Sequence, residues 1–391
     1  MENFQYYAPT KVVFGKGTEN KAGQLVKEQN CRKVLIHYGS GSVKRSGLLD
    51  RIFASLDEEG ISYISLGGVV PNPRLSLVYE GIDLCRREGV DFILAVGGGS
   101  VIDSAKAIGY GVENEGDVWD FYERKRQACL PIGVVLTIAA AGSEMSDSSV
   151  ITNENGWLKR GYNSSYCRPK FAVMNPELTM TLPKYQTASG CVDIMMHTME
   201  RYFNHCDNME LTDGISEHLL RTVMKNAKIL MDEPQCYKAR AEVMWAGSLS
   251  HNGLMACGND GGDWACHQLE HELGGMFDVA HGAGLAAVWG SWARYVCDAL
   301  PDRFEQFAVN VMGVENGDDK NAVIQKGIEA MENFFRQIEM PTDLGGLNIE
   351  VSEDQMKELA LKCSHFGKRT IGCVKKLNQE DIYRIYQKAA D

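Results

Sequence analysis

The sequence lacks the features that mark secreted and membrane-spanning proteins. Its 12 cysteines are scattered without a C-x-x-C pair, which indicates a reducing compartment rather than a disulfide framework. No run approaches the about 18 uncharged apolar residues of a membrane helix. Residues 1–10 contain Glu2 and no apolar core, unlike a signal peptide. We therefore expect a cytoplasmic protein without a membrane span.

Positive charge is also scarce, since 40 lysines and arginines face 52 acidic residues, for a formal net charge of -12. An acidic surface repels phosphate backbones and anionic lipids, so we expect neither nucleic acid nor a membrane as a partner. The chain has 391 residues. Single cores stop growing near about 250–300 residues, which favours two domains.

The first half of the chain alternates short apolar runs with amphipathic segments. The runs, most of them closed by glycine, lie at residues 33–38, 62–66, 91–96 and 130–137. Residues 75–88, between the second and third runs, have helical spacing of apolar positions. This alternation is typical of a parallel sheet covered by helices on both faces.

The pattern changes near residue 182, after a segment bracketed by two prolines. Long helical patterns follow at residues 186–203, 214–231, 237–254, 322–337 and 354–363. No comparable β-branched run flanked by glycines occurs there. We therefore predict an α/β domain over residues 1–182 and an all-helical domain over residues 183–391.

A glycine-rich turn, Gly97-Gly98-Gly99-Ser100, joins the third apolar run to a predicted helix. Glycines let the backbone approach a ligand, and the start of a helix attracts a phosphate. The match to G-x-G-x-x-G is incomplete because Ile102 occupies the third glycine position. On this signal alone, the turn either binds phosphate or simply connects two elements.

A second turn, with Gly39, Ser40, Gly41 and Ser42, follows the first apolar run, and Lys44 comes next. An acidic residue at such a position binds the ribose hydroxyl of NAD, whereas its absence leaves room for the phosphate of NADP. The turn therefore favours NADP(H), with a plain serine–glycine loop as the alternative.

Histidines are few but clustered. Three of the nine, His267, His271 and His281, fall within fifteen residues. His197 follows Asp193 by four residues on a predicted helix, so both share one face. That pair alone is more typical of a surface hydrogen bond. One aspartate with three histidines, however, suits divalent iron, zinc or cobalt.

The segment from His267 to His271 is also similar to the H-E-x-x-H helix of zinc hydrolases. Gln268 stands where the general-base glutamate is required, so that hypothesis fails on its chemistry. We expect Gly274-Gly275 to break this helix before His281 opens the next segment.

Together these residues make the chain resemble the iron-containing (group III) alcohol dehydrogenase family, in particular its butanol-dehydrogenase-like branch. The resemblance covers nearly the whole chain, and its motifs occur in the family's order. They are FGKGT at 14–18, YGSGSVKRSG at 38–47, PNPR at 71–74, AVGGGSVIDSAK at 95–106, TIAAAGSEMS at 137–146 and PKFAVMNP at 169–176.

The resemblance implies a dehydroquinate synthase-like architecture, in which a Rossmann-like dinucleotide-binding domain precedes an all-α metal-binding domain. It implies Fe(II), with zinc possible, on Asp193, His197, His267 and His281, and a substrate pocket lined by His271. It implies NAD(P)H contacts, with NADP(H) favoured over NAD(H). The expected cofactor residues are Gly39, Ser40, Ser42, Gly98, Gly99, Ser100, Asp103, Thr137, Ser143 and Lys159.

The implied reaction is hydride transfer between the nicotinamide and a small aldehyde or primary alcohol, with the metal polarising the substrate oxygen. A homodimer is implied as well. The alternatives are a glycerol-dehydrogenase-like polyol oxidoreductase, a reductase of an anionic aldehyde and, more remotely, a non-enzymatic assembly protein. Two positions depart from the family pattern. Asp147 stands where relatives often carry asparagine, and Ser40 replaces a common glycine.

Overall fold

The computed structural model describes residues 1–122 and 128–390, which form two compact units. One unit contains Tyr7–Thr181, and the other contains Met1–Tyr6 together with the chain from Leu182 onward. The first six residues belong with the second unit, whereas the sequence predicts a first domain over residues 1–182.

Backbone hydrogen bonds explain where the N-terminal segment lies. The Met1 amine donates to the carbonyl of Asp207 over 3.0 Å, and the Glu2 N–H donates to the carbonyl of Gly258 over 2.8 Å. A Cβ at Gly258 would lie 2.5 Å from Met1 Cγ, so a glycine is needed there. These contacts are distant in sequence, and the local pattern of the first residues gives no sign of them.

The described residues of the α/β unit form eight strands and five α-helices. The strands are β1 (Lys11–Phe14), β2 (Lys33–Gly39), β3 (Ser62–Val69), β4 (Phe92–Gly97), β5 (Ile132–Leu136), β6 (Ser148–Asn153), β7 (Leu158–Asn163) and β8 (Phe171–Met174). The helices are α1 (Ala22–Lys27), α2 (Ser42–Arg45), α3 (Leu48–Glu58), α4 (Leu75–Glu88) and α5 (Gly99–Glu113).

Six strands form one parallel sheet in the order β1-β8-β5-β4-β2-β3, and β6 pairs with β7 as an antiparallel hairpin. Every residue of β4 and β5 is buried, as expected for central strands covered on both faces. The four predicted strands are confirmed as β2, β3, β4 and β5. Strands β1 and β8 have four residues each, which is too short for a recognisable pattern.

The described residues of the second unit form nine α-helices. They are α6 (Lys184–Tyr202), α7 (Glu210–Asp232), α8 (Tyr237–His251), α9 (Ala265–Phe277), α10 (His281–Val296), α11 (Pro301–Asn310), α12 (Lys320–Gln337), α13 (Glu353–Cys363) and α14 (Gln379–Ala390). The predicted fold class, an α/β region followed by a mostly helical one, is confirmed. No described helix is both long enough and apolar enough to span a membrane.

Helix α6 lies at the centre of this unit and packs against α7, α8 and α10. All its residues from Thr187 to Tyr202 are buried. The expected break at Gly274-Gly275 is wrong, because α9 continues through both glycines to Phe277. A glycine costs about 1 kcal/mol in a helix relative to alanine. Both glycines are buried, and tertiary packing outweighs their low helix propensity.

Candidate metal centre and cofactor turns

The buried face of α6 carries two polar side chains that are costly to bury without partners. Asp193 and His197 are 3% and 4% exposed. They stand one helical turn apart, and Asp193 Oδ1 lies 3.2 Å from His197 Nδ1. A carboxylate in an apolar interior is destabilising unless it is paired or coordinates a cation.

Two close approaches bring α9 and α10 to this face of α6. A Cβ at Gly262, shortly before α9, would lie 2.4 Å from the carbonyl oxygen of Glu200. A Cβ at Gly282, in the first turn of α10, would lie 1.9 Å from the carbonyl oxygen of Ser189. Only glycine fits at these contacts, which set the positions of His267 and His281 against α6.

The four predicted ligands therefore meet around one oxygen atom. Asp193 Oδ1 lies 3.7 Å from His267 Nε2 and 3.7 Å from His281 Nε2. The ligand atoms of Asp193, His197 and His267 all lie within 4.8 Å of one another. The structure thus brings together residues that are up to 88 positions apart, 281 minus 193, in the sequence.

Buried atoms without partners provide a test of whether these residues fit a metal ion. Asp193 Oδ1, His197 Nδ1 and His267 Nε2 are all buried, and none has a hydrogen-bond partner among the described residues. Nearly all buried polar atoms in proteins are satisfied, so a converging set without partners indicates a missing ligand. Carboxylate oxygen and imidazole nitrogen are donors that suit Fe(II) and Zn(II).

Two glutamates behind the histidines were not predicted. Glu200 is 1% exposed, and its Oε2 accepts a hydrogen bond from His267 Nδ1 over 2.8 Å. Glu270 Oε2 accepts in the same way from His281 Nδ1. The sequence offered a partial signal, since Glu200 continues the stripe of Asp193 and His197 by one further turn.

The charges of this cluster favour a cation. Burial opposes protonation of His267, but the nearby Glu200 and Asp193 carboxylates outweigh it and raise the pKa of His267 to about 9. The pKa of His197 is held well below its usual value, first by burial and then by the positive charge of neighbouring histidines and Arg201. His197 therefore presents a neutral imidazole, the form that binds metals.

His271 lies beside this group rather than within it. Its ring centre is 5.9 Å from that of His281 and 6.5 Å from that of His267. With Glu270 and His281 it forms a second set of potential ligand atoms. In that set Glu270 already accepts a hydrogen bond from His281, whereas the set at Asp193 contains atoms without partners.

Trp264 forms an aromatic wall next to the histidines. It adopts a left-handed backbone conformation, with φ of 63°, immediately before α9. Its ring centre lies 5.3 Å from that of His267, and the Arg201 guanidinium lies 4.5 Å from the ring centre. The indole N–H donates to the carbonyl of Gly261 over 2.7 Å, which fixes the ring orientation.

In the α/β unit, the two predicted cofactor turns follow neighbouring strands. Strands β2 and β4 pair in parallel, with Tyr38 opposite Val96, so Gly39 and Gly97 occupy the same edge of the sheet. Ser40 and Ser42 are exposed there. Parallel sheets bind ligands at the carboxyl ends of their strands, which is where both turns lie.

The glycines of the Gly97–Ser100 turn lie in close contact with the segment after β5. A Cβ at Gly98 would lie 2.9 Å from Ile138 Cβ, and a Cβ at Gly99 would lie 2.9 Å from Ala141 Cβ. The segment after β5 thus covers the start of α5 closely. Thr137 joins this arrangement, since its N–H donates to the carbonyl of Gly97 over 3.0 Å. Ser100 follows in the first turn of α5 and is half-buried.

Asp103 and Ser143, both predicted cofactor residues, bind each other. The Ser143 hydroxyl donates to Asp103 Oδ1 over 2.6 Å, and the N–H of Val150 donates to Asp103 Oδ2 over 3.0 Å. Asp103 therefore orders the segment between β5 and β6. Lys159 is 4% exposed and lies in β7 opposite Thr152.

Lys106, which was not predicted as a site residue, completes this network. It is fully buried, and its ammonium group donates to the carbonyls of Ser143, Ser146 and Ser148 over 2.8–3.1 Å. The D-x-x-K spacing places Asp103 and Lys106 one turn apart on α5, which is the signal that could have identified the pair.

Two family models of known proteins match the chain, one in each unit. The family model described as iron-containing alcohol dehydrogenase matches residues 9–176. The model described as Fe-containing alcohol dehydrogenase family, C-terminal, matches residues 187–390. The chain belongs to the iron-containing alcohol dehydrogenase family.

Several relatives of this dehydrogenase align over their full length. NADH-dependent butanol dehydrogenase A of Clostridium acetobutylicum is 40% identical over 100% of both chains. The NADPH-dependent aldehyde reductase YqhD of Escherichia coli is 34% identical over 100% of both. The crystal structure of NADH-dependent butanol dehydrogenase A from Thermotoga maritima has a TM-score of 0.96 and 40% identity, and the match covers 100% of this chain and 99% of that one.

These similarities confirm the predicted family, its butanol-dehydrogenase-like branch and the class of metal-dependent alcohol dehydrogenase or aldehyde reductase.

Asp147, one of the two positions that depart from the family pattern, is paired with a basic side chain in the structure. Its carboxylate lies 3.0 Å from the Arg168 guanidinium, in an ion pair.

Proposed function

We propose that this dehydrogenase interconverts a small aldehyde and the corresponding primary alcohol, using a divalent metal held by Asp193, His197, His267 and His281. The observation that carries the proposal is the set of converging buried donor atoms without hydrogen-bond partners in the described chain. A metal bound there would polarise the substrate oxygen. Fe(II) is the metal that the family name indicates, with Zn(II) as a substitute.

The residues around this centre would share the remaining tasks. His271 lies within ring-contact distance of His281 and is placed to exchange a proton with substrate or water. Trp264 contacts His251 and His267 and would cover the histidines on one side. Both roles are proposed because His271 and Trp264 lie beside the metal ligands and are not ligands themselves.

The cofactor is a nicotinamide dinucleotide, and we propose a preference for NADP(H). Its pyrophosphate would contact Gly98, Gly99 and Ser100 at the start of α5, where free N–H groups and the helix dipole favour an anion. The adenosine end would meet Gly39, Ser40 and Ser42, and the turn carries no carboxylate. Thr137, Ser143, Asp103 and Lys159 would contribute directly or by ordering the segment beside them.

The relatives include both NADH- and NADPH-dependent enzymes, so the cofactor preference needs its own experiment. Lys44 lies in α2 with an exposed side chain, next to the proposed 2′-phosphate position. We expect Lys44→Ala to weaken NADPH binding about tenfold, by loss of one charge-assisted contact, and to leave NADH binding nearly unchanged. Equal losses for both cofactors, measured by fluorescence titration, would contradict the preference.

The main experiment is anaerobic aldehyde reduction by metal-stripped protein titrated with Fe(II) or Zn(II). We expect activity to return at about one metal per chain, the stoichiometry of a single site with three or four protein ligands. His267→Ala should remove both binding and activity, whereas His218→Ala, at an exposed position on α7, should change neither. Full activity without metal would overturn the mechanism.

We also propose that the enzyme is a cytoplasmic homodimer. The 12 cysteines all lie in the described chain and all are free thiols, as in a reducing compartment. Sedimentation of the purified protein would test the dimer directly.

A further inference from the structure

The two glutamates behind the histidines occupy equivalent positions, which suggests a shared task. In each case a glutamate accepts from Nδ1 of a histidine whose Nε2 lies 3.7 Å from Asp193 Oδ1. A neutral histidine that donates from Nδ1 carries its lone pair on Nε2. Both carboxylates therefore select the tautomer that points a lone pair at the same place.

Glu200 fixes the backbone of α9 as well as one ring. Its Oε1 accepts the backbone N–H of His267 over 3.0 Å while its Oε2 accepts the ring Nδ1–H. The N–H of Asp263 donates to the Glu200 carbonyl over 2.7 Å. One residue of α6 thus sets both the start of α9 and the orientation of the ring that α9 carries.

Glu270, on α9, holds the ring of His281 on α10. It is fully buried, and a Cβ at Gly284 of α10 would lie 2.8 Å from Glu270 Cγ. The glycine therefore leaves room for the glutamate side chain beneath the first turn of α10. His281, at the start of that turn, receives its hydrogen-bond partner from this position.

His197 has a different environment from His267 and His281. Its Nδ1 faces Asp193 rather than a glutamate, and its ring packs 4.0 Å from the ring centre of His251. It already lies on the same helix as Asp193, so it needs no carboxylate from a second helix to position it. The glutamates occur where the histidine comes from a helix other than α6.

We propose that Glu200 and Glu270 are positioning residues that hold His267 and His281 in the orientation and tautomer required for metal binding. The inference rests on the proposed metal site. Outer carboxylates of this kind orient the ligand and raise its basicity, and their loss typically weakens metal affinity about 10–100-fold.

The test compares metal affinity with stability in isosteric variants. We expect Glu200→Gln and Glu270→Gln each to weaken Zn(II) and Co(II) binding about 10–100-fold in chelator competition. The visible spectrum of bound Co(II) should shift as well, because the ligand field changes with ring orientation and basicity. The metal-free variants should lose some stability, because a glutamine amide cannot replace both carboxylate oxygens as acceptors, and the fall in metal affinity should exceed that loss.

Glu217→Gln supplies the matched control. Glu217 is a buried glutamate of the same unit that accepts from the Tyr202 hydroxyl over 2.9 Å, so it serves packing. This variant should melt earlier and bind Co(II) with wild-type affinity and spectrum. Wild-type affinity and spectrum in both Glu200→Gln and Glu270→Gln would overturn the inference. So would weaker binding that is matched by an equal loss of metal-free stability. Failure of the wild type to bind metal would instead reject the proposed metal site.

Discussion

Each of the two units carries an aspartate and a buried basic residue one helical turn apart on a single helix, but the hydrogen bonding of the two pairs differs. On α5, Asp103 accepts from Ser143 and Val150, and Lys106 donates to a ring of serine carbonyls. On α6, Asp193 and His197 retain buried atoms without hydrogen-bond partners among the described residues. A satisfied cluster maintains a fold, whereas an unsatisfied and convergent one is prepared for a ligand.

The largest effect should come from removing the charge at the centre of the unsatisfied cluster. Asp193 Oδ1 is the atom nearest to all three histidines, so Asp193→Asn should lower activity at least about 1,000-fold, or about 4 kcal/mol of transition-state stabilisation. The metal-free variant should stay folded, because the lost attraction between Asp193 and the histidines is offset by the removal of a buried charge. Metal content and melting temperature measured together check both parts, and near-normal metal binding would contradict the assignment.

Substitution in the cluster of Asp103 and Lys106 should lower stability and leave metal binding unchanged. Lys106→Met would leave several buried carbonyls without donors, and we expect the free energy of unfolding to fall by about 3 kcal/mol. Metal affinity of the helical unit should remain that of the wild type. Lys27→Met is the control, since its exposed ion pair with Glu59 contributes little. A Lys106 variant as stable as this control would show that the serine carbonyls do not need the ammonium group.

The sequence predicted the four metal ligands, whereas the two glutamates depend on long-range contacts that it does not reveal. Helical spacing predicted that Asp193 and His197 share a face, and the family resemblance supplied His267 and His281. Glu200 and Glu270 were missed because their role depends on which helices touch. That contact is set by close approaches at Gly262 and Gly282 that no local pattern reveals.

The fold, like the site, was predicted where the signal is local and missed where it depends on long-range contacts. Continuous apolar runs bounded by glycine predict buried strands such as β4, and that prediction is confirmed. The end of α9 was wrong because two glycines lower local helix propensity while burial in the folded unit restores the helix. The position of residues 1–6 was not predictable from the local sequence, because it involves hydrogen bonds to residues 207 and 258, which are distant in the chain.

A buried histidine of the α/β unit, His37, should make the stability of the protein depend on pH. His37 is fully buried and uses both ring nitrogens within the protein, at 3.0 Å from the Leu66 carbonyl and 2.9 Å from the Ser104 hydroxyl. Burial lowers the pKa of His37 to about 4, whereas a free histidine titrates near 6.5. The unfolded chain therefore binds a proton first as the pH falls.

Stability from neutral His37 should thus be complete above pH 6.5 and should be lost between pH 6.5 and about pH 4. We expect this residue alone to lower the free energy of unfolding by about 2 kcal/mol between pH 7 and pH 5. Denaturant unfolding at both values, for the wild type and for His37→Gln, measures the contribution. The variant should be less stable at pH 7 and should lose less on acidification. An identical pH dependence in the two proteins would mean that His37 takes up its proton at the same pH in the folded and the unfolded chain.

The smallest effect concerns Asp147, the position that departs from the family pattern. A charge free to face substrate would alter selectivity between neutral and anionic aldehydes. The structure instead pairs Asp147 with Arg168, whose guanidinium also donates to the Met145 carbonyl over 2.7 Å. The pair is partly exposed, so Asp147→Asn should cost no more than about 1 kcal/mol of stability. Because Arg168 already compensates the carboxylate, the ratio of kcat/KM for a neutral and an anionic aldehyde should change less than about threefold, or about 0.6 kcal/mol. A larger change in that ratio would mean that Asp147 acts on the substrate. It would contradict the expectation that a carboxylate already paired within the protein does not affect selectivity.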